Sequence, residues 1–95
     1  MATLKLTGSV GSGTAKNGVP HNQPEDVAKV RDRFIELGYT WVSGTATGKE
    51  SEFIRTIELF QSTCKGSGKA EGDGRIDRHG AVHRWLAALN RSVLG

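Results

Sequence analysis

Three stretches of this chain carry apolar residues at helical spacing, and the polar stretches between them are rich in glycine. In the first, Val27, Val30, Phe34 and Leu37 fall on one helical face. Pro24 suits the opening turn, where its missing N–H would have no partner, and Glu25 and Asp26 favour the positive end of the helix dipole. Asn22 or Gln23 is the expected cap, Asn being the better acceptor, and Gly38 is the expected stop. Glu25 and Lys29 are spaced for an i,i+4 pair on the solvent side. In the second stretch Phe53, Ile57, Phe60 and Cys64 form one stripe, and in the third Val82, Trp85, Leu86 and Leu89 do. The pattern predicts helices over 24–37, 50–63 and 80–90, with Phe34, Ile57, Phe60, Trp85 and Leu86 buried against one another.

Outside these stripes the pattern is short or absent. Leu4 and Leu6 alternate with polar neighbours, as in a very short strand. Residues 8–18 are rich in Gly, Ser and Thr and read as a loop or flexible arm, although Val10 can lay the segment along the core instead. Tyr39 to Gly48 reads as a loop with a brief extended piece, and Lys65 to Gly72 as a second glycine-rich loop. An Asp73-Gly74 turn then leads into a short Arg75-Ile76 strand. The expected architecture is mainly α: an N-terminal segment over 1–21 and a three-helix domain over 22–95, with very short strands.

Composition narrows the functional classes. A chain of 95 residues accommodates one core. Thirteen Lys and Arg residues against ten Asp and Glu leave a net charge of +3. The basic residues are scattered from Lys5 to Arg91 without a run, so nucleic acid is not an expected partner, a basic stripe being its usual footprint. No stretch approaches the roughly 20 apolar residues of a membrane span, and membrane insertion is not expected. The first residues, Met1 to Thr7, lack the continuous apolar stretch of a secretory signal, so synthesis in the cytoplasm is expected. Cys64 is the only cysteine, which excludes an internal disulfide and a cysteine-rich zinc site; on its stripe it reads as a small core residue.

Candidate chemistry is thin. His79 and His83 stand four apart at the start of the last helix, but Gly80 occupies the place of a metalloprotease glutamate and no third ligand is fixed. Two histidines at a solvent edge are the expected reading, with no metal. Aligning Gly74 with the invariant glycine of a calcium loop puts Lys69 and Gly80 at ligand positions, which excludes calcium. No phosphate-binding glycine loop, no nucleophile–base pair and no selective carboxylate pair marks an enzyme, and no cofactor is expected. Aromatic side chains in loops are the better candidates for a surface. Trp41 stands open between core and surface, Tyr39 is expected in the core because it follows Leu37-Gly38 directly, and Trp85 is expected in the core from its stripe.

The order of elements carries a resemblance. A helix ending at Leu37-Gly38-Tyr39, a helix ending at Phe60-Gln61, then Asp73-Gly74-Arg75-Ile76 with Asp77, His79 and Gly80 before a short last helix, is similar to the peptidoglycan-binding-domain-like family over residues 22–89. The earlier Asp-Gly turn of that family is replaced here by Trp41-Val42-Ser43-Gly44-Thr45-Ala46-Thr47-Gly48, and the loop after Gln61 is longer and richer in glycine. The resemblance implies a compact three-helix domain and a noncatalytic module that binds peptidoglycan, in a phage, lytic or injection system acting at the cell envelope or in a secreted particle. The alternative is an interaction protein that uses the same fold to assemble with protein partners. Because the related fold places its two inter-helix turns near one another, it implies one surface of Tyr39, Trp41, Arg75, Asp77 and His79, with Trp41 and Arg75 as anchors.

Overall fold

The computed structural model describes residues 4–63, 74–78 and 80–88. Within them lie strand β1 (Val10–Gly11), helix α1 (Pro24–Glu36), a 3-10 helix (Thr40–Gly44), helix α2 (Ser51–Thr63), strand β2 (Arg75–Ile76) and helix α3 (Ala81–Ala88). The fold is mainly α, as expected, and β1 and β2 form a minimal antiparallel sheet pairing Val10 with Ile76 and Gly11 with Arg75. Cys64, the 65–72 loop, Asp73, His79 and Leu89 onward lie outside the described residues.

Helix α1 buries Val27, Val30 and Phe34 on the predicted face, with Leu37 following them into the core. Its end explains why the sequence there reads Leu-Gly-Tyr. Gly38, at φ +107°, donates its N–H to the Ile35 carbonyl, and Tyr39 donates its own to Phe34. These are the two bonds of a Schellman motif, in which a left-handed residue turns the chain back and satisfies the last carbonyls. The hydrophobic contact that accompanies such motifs is present: the Tyr39 ring meets Phe34 edge-on at 5.5 Å. Phe53 and Phe60 of α2 also approach Phe34 edge-on, at 6.1 and 5.8 Å, so Phe34 is the hub of the aromatic core.

The glycine-rich N-terminal segment is built into this core. Leu4, Leu6 and Val10 are buried, and Asp26 of α1 holds the chain between them. Its carboxylate accepts from the Thr7 N–H at 3.0 Å, the Thr7 hydroxyl at 2.7 Å and the Gly8 N–H at 3.1 Å. The extended pair falls at Val10–Gly11 and not at Leu4–Leu6, because only there does β2 offer a partner. Asn22 does not cap α1. At φ +54° it turns its side-chain amide to Gly11, accepting from the N–H at 2.8 Å and donating to the carbonyl at 2.9 Å, as a neighbouring strand would. The cap position falls to Gln23, which makes no side-chain capping bond. Lys29 reaches the Lys5 carbonyl at 3.0 Å, and among the described residues no ion pair joins it to Glu25.

Between α1 and α2 the expected loop winds into the 3-10 helix, which sends Val42 into the core and Trp41 outward. The following turn is ordered by Glu50, whose carboxylate accepts from the N–H groups of Ala46, Thr47 and Gly48, each at 3.0 Å. Burial pushes this carboxyl up, but the N–H groups of Ala46, Thr47 and Glu50 itself, with the Thr47 side chain, outweigh that and hold it at about 2.

Helix α3 is turned relative to its apolar stripe. Leu86 is buried as expected, but among the described side chains the other buried one is His83, while Val82 and Trp85 are only partly covered. His83 Nε2 lies 2.6 Å from the Leu4 carbonyl; a carbonyl only accepts, so Nε2 carries the proton. The solvent-edge reading of His83 is therefore overturned: a directed bond to a segment at the far end of the chain places it inside. Arg33, buried on α1, completes the seam by donating Nε–H to the Leu86 carbonyl at 2.8 Å.

Candidate binding surfaces

Trp41 emerges from the Schellman turn directly above the aromatic core. Its indole meets the Tyr39 ring at 5.6 Å and 89°, so the buried Phe34–Tyr39 pair continues outward as a prop for Trp41. Its Nε1–H donates to the Thr56 hydroxyl at 2.8 Å, and that hydroxyl donates to the Glu52 carbonyl at 2.7 Å. With its polar edge pinned to α2, Trp41 remains 49% exposed. Leu59, 47% exposed, stands three residues after Thr56 on α2, on the flank of the helix to which Trp41 is tied. Tyr39, a predicted ligand-binding residue, is 1% exposed and acts as support for the indole beneath which it lies.

Arg75 occupies a different place and a different role. Its Nε–H bonds Asp77 at 2.7 Å, its two terminal nitrogens reach the Thr14 carbonyl at 2.8 Å and the Ser9 hydroxyl at 3.0 Å, and the side chain is 9% exposed. The guanidinium is thus a clamp that fastens the N-terminal segment to β2. On α2, the Trp41 contact is made by Thr56, whereas Gln61 bonds Gly74 and Arg75 and Ile54 abuts Gly74. At about 100° per residue these attachments are roughly 140–160° apart around the helix. Trp41 and Arg75 therefore lie on opposite flanks of α2, and the structure does not join them into one surface. Asp77 is exposed beside Arg75; His79 lies outside the described residues.

Around Arg75 the sequence hid a polar network. The Ser9 hydroxyl and His21 Nδ1 are 2.7 Å apart, and His21 Nε2 is 2.9 Å from the Gly11 carbonyl. The carbonyl requires the proton on Nε2, so Nδ1 accepts from Ser9. Burial pushes His21 below its ordinary 6.5; the Gly11 bond opposes this, and the charges of Arg75 and Lys49 push it lower again. Beside the network an open cleft of about 420 Å³ runs between the Lys16–Val19 turn and the Asp77–Arg78 turn.

Leu59 was legible as a candidate only by its absence from the α2 stripe. Ser9, His21 and Lys16 had no signal, because what unites them with Arg75 is pairing between segments more than fifty residues apart. Among the described residues no three His, Cys, Asp or Glu side chains converge on a metal-sized site, and no helix is long and apolar enough to cross a membrane. Comparison with protein-family models, curated proteins and solved structures finds no match to this chain. The resemblance read from the sequence thus rests on the residues that carry it.

Proposed function

We propose that this chain is a noncatalytic binding module that engages peptidoglycan through Trp41. The observation that carries the reading is the pre-organised indole: propped by Tyr39, tied through Nε1 to Thr56, and still half exposed. A ring held in this way loses little conformational freedom when a ligand stacks on it, and aromatic surface of this kind suits the apolar faces of sugar rings. The order of elements supports the choice of ligand, since it resembles a wall-binding family. Arg75 drops out of the proposed contact because its donors are engaged within the chain. Retention on purified sacculi tests the proposal. The wild-type chain is expected to co-sediment and Trp41→Ala to remain in solution with an unchanged helical signal; equal retention of both rejects it.

Leu59 favours a second reading, in which the same surface contacts protein. An aliphatic side chain adds nothing specific for a glycan, whereas an exposed Trp and an exposed Leu on one flank of α2 have the make-up of an interface. On that reading the chain sediments as a discrete oligomer that Leu59→Ser disperses, and it ignores sacculi.

A further inference from the structure

We propose that the cleft between the Lys16–Val19 turn and the Asp77–Arg78 turn is a binding site for a small ligand bearing an oxyanion, carboxylate or phosphate, gripped by Lys16 and Arg78. The site lies on the opposite flank of α2 from Trp41 and does not depend on the wall-binding reading.

The cleft volume, about 420 Å³, is within the range of small-molecule sites, and among the described residues every lining side chain but Val19 carries a polar or charged group. Among the described lining residues, Lys16, Arg75 and Arg78 stand against one carboxylate, Asp77. That carboxylate is already bonded to Arg75, whose other donors hold Ser9 and Thr14. Arg75 therefore forms a fixed floor whose charge is offset locally. Lys16 and Arg78 are different: both are exposed, and no ion pair among the described residues involves either. Arg78 spends one N–H on the Thr7 carbonyl at a long 3.3 Å, which leaves most of its donor fork for a ligand. Both line the cleft, Lys16 from the N-terminal turn and Arg78 from the segment after β2, so an oxyanion entering it is flanked by cationic side chains from two segments. Lys49, which bonds the Gly13 carbonyl at 2.6 Å, adds a further positive charge on the same N-terminal segment. Asn17 at the lip supplies an amide for hydroxyl or carbonyl groups of the ligand. Among the described residues the lining holds no aromatic ring on which a base could stack, unlike a single-stranded nucleic-acid groove.

The test is an amide chemical-shift titration of the full chain with inorganic phosphate and, separately, with N-acetylglutamate, ionic strength being held constant with sodium chloride. Saturating shifts at Asn17, Gly18, Val19, Asp77 and Arg78 are expected with at least one of the two, and which one saturates identifies the oxyanion. Lys16→Gln combined with Arg78→Gln is expected to weaken binding at least tenfold, with amides outside the cleft unmoved. If the double variant loses its dispersed spectrum, Lys16→Gln alone serves, with at least a threefold weakening expected. Trp41→Ala is expected to titrate like the wild type. Shifts that stay linear with both anions, that spread over all basic residues, or that persist undiminished in the Lys16 variant overturn the proposal, as does loss of the titration in Trp41→Ala.

Discussion

Replacing Trp41 and replacing Arg75 by alanine have different expected outcomes, although the sequence presents the two as partners. Trp41→Ala removes one hydrogen bond to Thr56, worth about 1 kcal/mol, and an edge-on contact with Tyr39 worth about 0.5–1.5 kcal/mol more, so a modest loss of stability is expected beside a larger effect on binding. Arg75→Ala removes the guanidinium that bonds Asp77, Thr14 and Ser9 from a nearly buried position. Hydrogen bonds to charged groups are each worth about 1.5–3 kcal/mol, so a loss of about 2 kcal/mol or more is expected in urea unfolding. An Arg75→Ala chain as stable as the wild type would mean that the clamp contributes nothing to stability.

Each element has its own weak point. The Schellman turn at the end of α1 depends on Gly38, and Gly38→Ala places a Cβ on a residue at φ +107°. The expected cost is about 1–2 kcal/mol, with the Tyr39 ring and hence Trp41 displaced; an unchanged melting temperature would show that the turn adapts. The start of α2 depends on the charge of Glu50. Its carboxyl is lowered from 4.5 to about 2 on folding, so its contribution is fully present above pH 4.5 and is lost as pH falls through about 2. Glu50→Gln is therefore expected to lower the melting temperature at pH 7 and to narrow its gap from the wild type at pH 2. A gap of equal size at both values would assign the effect to shape and not to charge.

For the molecule as a whole, the N-terminal segment and the helices are expected to unfold as one unit. Leu4, Leu6 and Val10 share the core with Phe34 and Phe60, and Asp26, His83 and Arg75 fasten that segment to α1, α3 and β2. Phe60→Ala should cost about 3–5 kcal/mol, against a total of about 5–15 kcal/mol for a small domain. Deleting residues 1–11 should abolish cooperative melting, whereas a free arm would be dispensable. His21 adds a pH dependence of the same whole. Its folded value lies below 6.5, so its contribution is complete above pH 6.5 and declines as pH falls through the folded value. Melting temperature is expected to drop between pH 7 and pH 5 in the wild type and to drop less in His21→Gln.

What was legible in the sequence is what neighbouring residues decide among themselves. The stripes of α1 and α2, the mainly α class, the Leu-Gly-Tyr stop and the burial of Tyr39 follow from spacing and from the backbone freedom of Gly38, and they are found where they were expected. Tertiary structure alone decided the rest, because it rests on directed polar bonds between distant segments, which leave no period in the sequence. His83 turns α3 away from its apolar stripe by reaching Leu4, and Asn22 abandons the cap of α1 to pair with Gly11. Arg75 spends its donors on Ser9 and Thr14, and the docking of the 3-10 helix and of β2 on different faces of α2 sets Trp41 on one flank and Arg75 on the other. Hydrophobic patterning selects which residues go inside; where buried polar groups find their partners depends on how the chain closes on itself.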